Sequence, residues 1–256
     1  LPGYSWDACL KYTRVELELL TDPNMYLFLE DGVRGGVSMV AHRHAKSNNG
    51  LNFDPVHAPS YLLYLDANNL YGWAMTQKLP IRNFRWLNDN QVEKFTSHFV
   101  MSLDDTSSKN HDLRRDSSSD DNSSSDVNSS DDDKRAETGY IAEVDLAYPE
   151  ELHELHNSLP LVPERLLVKD EMLSHYAASF DRSASTRTEK LIPNLLPKKN
   201  CVTHYKNLKF YIKHGLVITK VHKVLAFDQE AWLKPYIEAS TRFRQRAVDD
   251  FEKDLF

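Results

Sequence analysis

The sequence predicts an α+β fold, and three observations carry that prediction. Tyr61–Leu65 is a short apolar run behind Pro59, while Tyr140–Leu146 and Leu216–Leu225 alternate in polarity, so all three suit strands. Helical spacing governs Trp6–Leu20, Asn88–His98 and the chain from Asp228 onward. Hydrophobic residues make up 41% of the 256, enough for a core once one polar stretch is set aside.

In chain order, Trp6–Leu20 is the first expected helix. Asp22-Pro23 is a start signal for a second that runs to about Glu30. Gly32, Gly35 and Gly36 mark a turn into a strand near Val37–Val40. The Tyr61–Leu65 strand ends abruptly at Asp66, and the turn-prone pair Asn68-Asn69 leads on to Tyr71. A helix is expected from Asn88 to His98. Residues 102–138 are rich in Ser, Asp and Asn and almost free of apolar side chains. Such a segment cannot bury enough surface to offset its ordering entropy, so disorder is expected there, looped out between two strands.

Beyond the insert, Tyr140–Leu146 reads as a strand, and residues 160–200 are broken by prolines with a weak helix at Met172–Phe180. Asn207–Lys213 reads as a helix ended by His214-Gly215. Leu216–Leu225 reads as a half-exposed strand. The last segment spaces Trp232, Tyr236, Phe243, Ala247, Phe251 and Leu255 along one expected long helix. That helix reaches Phe256 without a stop residue, and the chain begins at Leu1, so a piece of a longer protein is expected.

The net charge of −7 is concentrated in one place. Between Asp104 and Glu137 eleven acidic residues face five basic ones, a net of −6, which leaves −1 for the rest. Cys9 and Cys201 are far apart with no Cys-x-x-Cys pattern. This argues against a zinc site and suits an intracellular, reducing compartment, nucleus or cytoplasm rather than secretion, with both thiols buried. No run approaches a membrane span and no signal-peptide pattern is visible, so no membrane partner is expected.

Asp66-Ala-Asn-Asn-Leu-Tyr71-Gly72 resembles motif A of the family B DNA polymerases, commonly written Asp-x-x-Ser-Leu-Tyr-Pro. More narrowly, the chain resembles the protein-primed branch found in certain phages, linear organellar plasmids and transposons of the Maverick/Polinton kind. Arg34-Gly35-Gly36 sits where that branch carries a Tyr-x-Gly-Gly element. The stretch from Gly139 to His153 resembles its segment after motif A, and Lys206–Gly215 resembles the stretch leading toward motif B. Three positions depart from the pattern: Asn69 replaces Ser, Gly72 replaces Pro, and Val33 replaces the Tyr of Tyr-x-Gly-Gly.

The resemblance implies an antiparallel palm-type sheet with flanking helices and the start of a fingers helix at the C-terminus. Residues 1–101 would be a palm segment with motif A, and 102–138 the insert. Residues 139–227 would be a palm continuation with a surface for a terminal-protein primer, and 228–256 the start of the fingers helix. The implied activity is template-directed nucleotidyl transfer by a two-metal mechanism, with primer–template DNA and deoxynucleoside triphosphates as partners. Asp66 is implied as the catalytic carboxylate holding Mg2+, with the carbonyl of Ala67 as a further ligand. The backbone of Asn68, Asn69 and Leu70 would lie near the triphosphate, and Tyr71 under the sugar as a steric gate. Arg34, Gly35 and Gly36 would handle DNA. Neither Lys-x-x-x-Asn-x-x-Tyr-Gly of motif B nor Asp-Thr-Asp of motif C occurs in the sequence, so the isolated chain is expected not to polymerise.

A second signal stands apart from the family. Lys198, Lys199, Lys206, Lys209, Lys213, Lys220 and Lys223 fall in a stretch with no Asp or Glu before Asp228, interleaved with Tyr205, Phe210 and Tyr211. Lysines beside aromatics suit phosphate contact and base stacking, and Arg242, Arg244 and Arg246 would extend the patch. The alternatives are a solvated basic face, and for the whole chain a mobile-element remnant that binds nucleic acid without catalysis. Glu143-Val-Asp145 resembles an exonuclease carboxylate pair but follows motif A, and would repel unless bridged by a cation or a lysine. His153-x-x-His156 with Glu150, Glu151 and Glu154 reads as a surface cluster, not a metal site.

Overall fold

The computed structural model describes residues 2–42, 44–50, 53–97, 137–179 and 189–255. Of the disorder expected over 102–138, residues 102–136 lie outside the described residues, as does the Phe180 end of the Met172–Phe180 helix, whereas Glu137 and Thr138 are corrected to the start of a strand. The architecture is mixed α+β, with a four-stranded antiparallel sheet and several helices. Its strands run in the order β1 (Leu79–Trp86), β6 (Val217–Glu230), β2 (Glu137–Ala147), β5 (Lys198–His204). A separate two-stranded ribbon pairs β3 (Glu164–Leu167) with β4 (Glu189–Ile192), from Glu164 opposite Ile192 to Leu167 opposite Glu189. The chain divides into two compact units, one made of residues 1–26, 66–141 and 223–256, the other of 27–65 and 142–222.

In the first unit, helix α1 (Pro2–Thr13) ends sooner than the Trp6–Leu20 spacing implies. The Thr13 hydroxyl donates to the Cys9 carbonyl at 2.9 Å, and Arg14 takes a left-handed φ of 55°. The chain then continues without regular structure, and the Glu18 amide donates to the Ile81 carbonyl of β1 at 2.9 Å. β1 was not expected, because Pro80, Arg82, Asn83 and Arg85 break any apolar pattern. On an edge strand, however, Pro is tolerated, and the register to β6 shifts twice along its length. Phe84 meets Phe227 with ring centroids 5.9 Å apart.

Helix α3 spans Leu70–Met75, and residues 89–97 form α4. Asn88 and Gln91 close α4 with a reciprocal cap, each side chain accepting from the other's amide at 3.0 Å. The single long C-terminal helix is corrected. Residues up to Glu230 finish β6, α8 runs Lys234–Arg246, and the chain breaks at Ala247 with ψ 132° before α9 (Asp250–Leu255). Asp228, Gln229 and Glu230 extend the alternation of β6, which overrides the helical spacing. Trp6 of α1 packs edge-on against Trp232, and Tyr12 against Tyr236, each at 5.9 Å. Where β2 passes Phe227 and Gln229, only Gly139 fits: a Cβ there would lie 2.4 Å from the Phe227 ring.

In the second unit, α2 (Pro23–Gly32) delivers the chain to Arg34, although the helix begins in the first. Asp22 starts that helix as expected, its carboxylate accepting from the Asn24 amide at 2.8 Å. No strand forms at Val37–Val40 or at Tyr61–Leu65, and both stretches are exposed. A strand exists only as one of a pair, and no described strand pairs with either. Four-residue helices α5 (His153–His156) and α6 (His175–Ala178) punctuate the proline-broken region. Helix α7 (Tyr205–Lys213) matches the sequence reading within two residues and ends at His214 and Gly215. The core here includes Val144, Leu146, Val162, Leu208 and Leu216. Both cysteines are buried and free, as the sequence implied.

Candidate functional site

Asp66, at the start of the motif A resemblance, is exposed and lies in irregular chain, not at the end of a strand. The turn that follows is tightly built. Asn69 adopts the left-handed conformation, φ 52° and ψ 43°, which Asn tolerates better than most residues. From there its side-chain oxygen accepts the Gly72 amide at 3.2 Å and caps α3. A Cβ on residue 72 would meet the Asn69 amide group at 2.3 Å. Two of the three departures from the motif patterns are therefore one device: Asn69 needs the amide and the bare Cα that Gly72 supplies, and a Pro has neither.

This capped turn leaves Tyr71 85% exposed, beside exposed Leu70 and Trp73. Tyr71 is thus not an ordinary core tyrosine. Helix α3 also faces α8 across an open cleft of about 620 Å³, lined by Asn68, Asn69 and Gly72 on one side and Glu238, Thr241 and Arg242 on the other. Asp66 and Tyr71 stand outside that lining. Among the described residues no group of three or more His, Cys, Asp or Glu is placed to hold a metal. Asp66 and the Ala67 carbonyl do not by themselves make a two-metal site, so no catalytic step is assigned to them here.

The seven lysines separate into different environments. Lys198 is 1% exposed, and its ammonium reaches Glu164 at 2.8 Å as well as the side chain of Asn194. Burial lowers its pKa, and the Glu164 carboxylate opposes that shift. It is corrected from a surface DNA contact to an internal ion pair. Lys199 is exposed but reaches Asp145 at 3.1 Å. Lys206, Lys209, Lys213, Lys220 and Lys223 are exposed.

Arg34 is likewise committed to the fold. Its guanidinium donates to the carbonyls of Pro163 at 3.1 Å and Val202 at 2.6 Å, and approaches Cys201 Sγ at 3.2 Å. Burial pushes the Cys201 thiol pKa up, against the pull of Arg34 and Lys198. Gly35 and Gly36 follow in exposed, open chain.

The Glu143/Asp145 pair finds the partners its spacing demands. Asp145 accepts from the Asn200 amide at 2.9 Å, from His222 Nε2 at 3.0 Å and from Lys199 at 3.1 Å, while Glu143 accepts from the Asn200 side chain at 2.7 Å. The Asn200 amide, then His222, hold the Asp145 carboxyl well below the usual carboxylate range. This is a structural knot without an exonuclease arrangement. His156 is corrected from surface to buried: its Nδ1 meets the Tyr148 hydroxyl at 2.8 Å. The same hydroxyl accepts the Leu161 amide at 3.2 Å.

No protein-family model matches the chain, and neither a curated protein nor a solved structure matches it.

Proposed function

We propose that this chain carries the motif A part of a protein-primed family B DNA polymerase, an enzyme of template-directed nucleotidyl transfer. One observation supports the reading best: Asp66 and Tyr71 flank the Asn69–Gly72 capped turn at the head of α3, and both are exposed. In this reading Asp66 holds Mg2+ together with a further carboxylate from elsewhere in the protein, and Tyr71 excludes a 2′-hydroxyl from the nucleotide site. The sheet is then palm-type, α8 leads into the fingers, and the terminal-protein primer meets the 140–200 region. Arg242 lines the cleft with Asn68 and Asn69, and in this reading it is a cation offered to the triphosphate.

The test starts with the gene beyond the Phe256 codon, where an open frame encoding Lys-x-x-x-Asn-x-x-Tyr-Gly and then Asp-Thr-Asp is expected. The complete product should extend a primer with magnesium, and Asp66→Asn should lower extension about a thousandfold or more. Tyr71→Val should admit ribonucleotides. Undiminished extension by Asp66→Asn sinks the proposal, and the 256-residue chain alone should not extend.

The exposed lysines of α7 favour a second reading, a nucleic-acid-binding module without catalysis. It predicts primer–template binding with a steep salt dependence, indifferent to Asp66→Ala and to magnesium.

A further inference from the structure

We propose that the outer face of α7 is a binding platform for single-stranded nucleic acid, with Phe210 as its base-stacking residue. The inference rests on the nucleic-acid-binding part of the reading above and not on Asp66. The helix spans Tyr205–Lys213, and His204 caps its start by accepting the Lys206 amide. Tyr205 and Leu208 are buried and fix which way the helix faces. Lys206, Lys209, Phe210, Lys213 and His214 are exposed. Their spacing of three and four residues places all five along one stripe, which advances about 10 Å from Lys206 to Lys213.

The chemistry of this stripe is specific. It bears three cations and no carboxylate, and the sequence around it has no acidic residue from Lys198 to Phe227. Its charge complement is a polyanion. Phe210 stands among the lysines with 49% of its surface exposed, and its ring meets that of His214 at 4.3 Å between centroids, tilted by 51°. The Lys209 ammonium lies 5.8 Å from the Tyr205 ring centroid, within cation–π range, which steadies the stem of one lysine on the helix.

An exposed phenyl ring adds nothing to phosphate binding. It does offer a π-face to a base, and such stacking is open only where bases are unpaired, because a duplex buries its base faces. Lysines alone would not discriminate strand state; lysines alternating with an exposed ring do. The committed occupant is therefore a single strand, its phosphates along the lysines and one base on Phe210.

Fluorescence anisotropy of the full chain with labelled oligo-dT and with a duplex of equal length, across a salt series, tests this. Oligo-dT should bind more tightly than the duplex. Phe210→Ala should weaken oligo-dT binding about fivefold or more, with the salt slope unchanged, and Phe210→Trp should retain binding. The triple change Lys206→Gln, Lys209→Gln, Lys213→Gln should flatten the log–log salt slope by about 2. Far-ultraviolet circular dichroism reports whether each variant keeps its helices.

Equal affinity for duplex and single strand would overturn the proposal. So would binding indifferent to Phe210, or equal displacement of the strand by heparin or an acidic peptide. Binding that disappears with Asp66→Ala or without magnesium would move the strand from α7 to the motif A surface. The polymerase reading fails separately, through primer extension that survives Asp66→Asn.

Discussion

Replacing His204 by Asn should make the folded chain less sensitive to acid. His204 is the N-cap of α7, and its Nδ1 accepts the Lys206 amide at 3.4 Å. Burial, with a smaller push from the Lys206 charge, lowers its pKa from 6.5 to about 4. The folded chain therefore resists a proton that the unfolded chain accepts. Stability from this group is complete above pH 6.5, the unfolded value, and falls steadily as the pH drops toward 4. At about pH 4.5 the difference amounts to about 2.5 kcal/mol, at about 1.4 kcal/mol per pH unit. Solvent screening at a ring that is not fully enclosed reduces this to about 2 kcal/mol.

The mechanism at the atom is plain. Protonated Nδ1 can no longer accept, and a cation at a helix start opposes the helix dipole. Asn keeps an acceptor at the cap and never titrates. Urea denaturation of both proteins at about pH 7.5 and 4.5 measures the effect, since the other histidines cancel in the comparison. The wild-type chain should lose about 2 kcal/mol more than His204→Asn over this interval. Equal losses in the two proteins would refute the reasoning.

The Asn69–Gly72 pair should show strong coupling. Gly72→Ala should cost about 1 kcal/mol by displacing the cap, yet in an Asn69→Gly background it should be neutral or stabilising, because Ala is the better helix former. A double-mutant cycle in urea reads this directly, and additive effects would separate the two residues. Lys198→Met should destabilise by about 2–3 kcal/mol, because it leaves the half-enclosed Glu164 carboxylate without its cation, with the Asn194 amide still on it. Adding Glu164→Leu should recover most of that loss in thermal denaturation, and a double variant weaker than the single would contradict the account.

The elements legible in the sequence were those whose side chains alternate or recur without interruption. Tyr140–Leu146, Leu216–Leu225 and Asn207–Lys213 correspond to β2, β6 and α7 within a few residues. β1 and β5 escaped notice because Pro80 and the Lys198–Asn200 stretch look like surface chain. Their strand character comes from the partner across the ladder, which no local window contains. Tyr61–Leu65 failed for the converse reason, being apolar without a partner strand. At the site, motif spacing located the turn between Asp66 and Tyr71. The fixed charges of Lys198 and Arg34 could not disclose Glu164, or the carbonyls of Pro163 and Val202, as their partners, because those lie 34, 129 and 168 residues away.

The two compact units are interleaved along the chain, which crosses between them after residues 26, 65, 141 and 222. Neither is a continuous piece of polypeptide. During synthesis from the N-terminus, the unit begun second, at residue 27, has all its parts once residue 222 has emerged. The unit begun first must wait for Val224–Phe227 and Leu233, buried residues from the last stretch of the chain. Its α1 and the Asn69–Gly72 turn leave the ribosome long before their core exists. A nascent chain stalled just after residue 222 has cleared the ribosome should thus show a protease-resistant second unit and a first unit that is still digested.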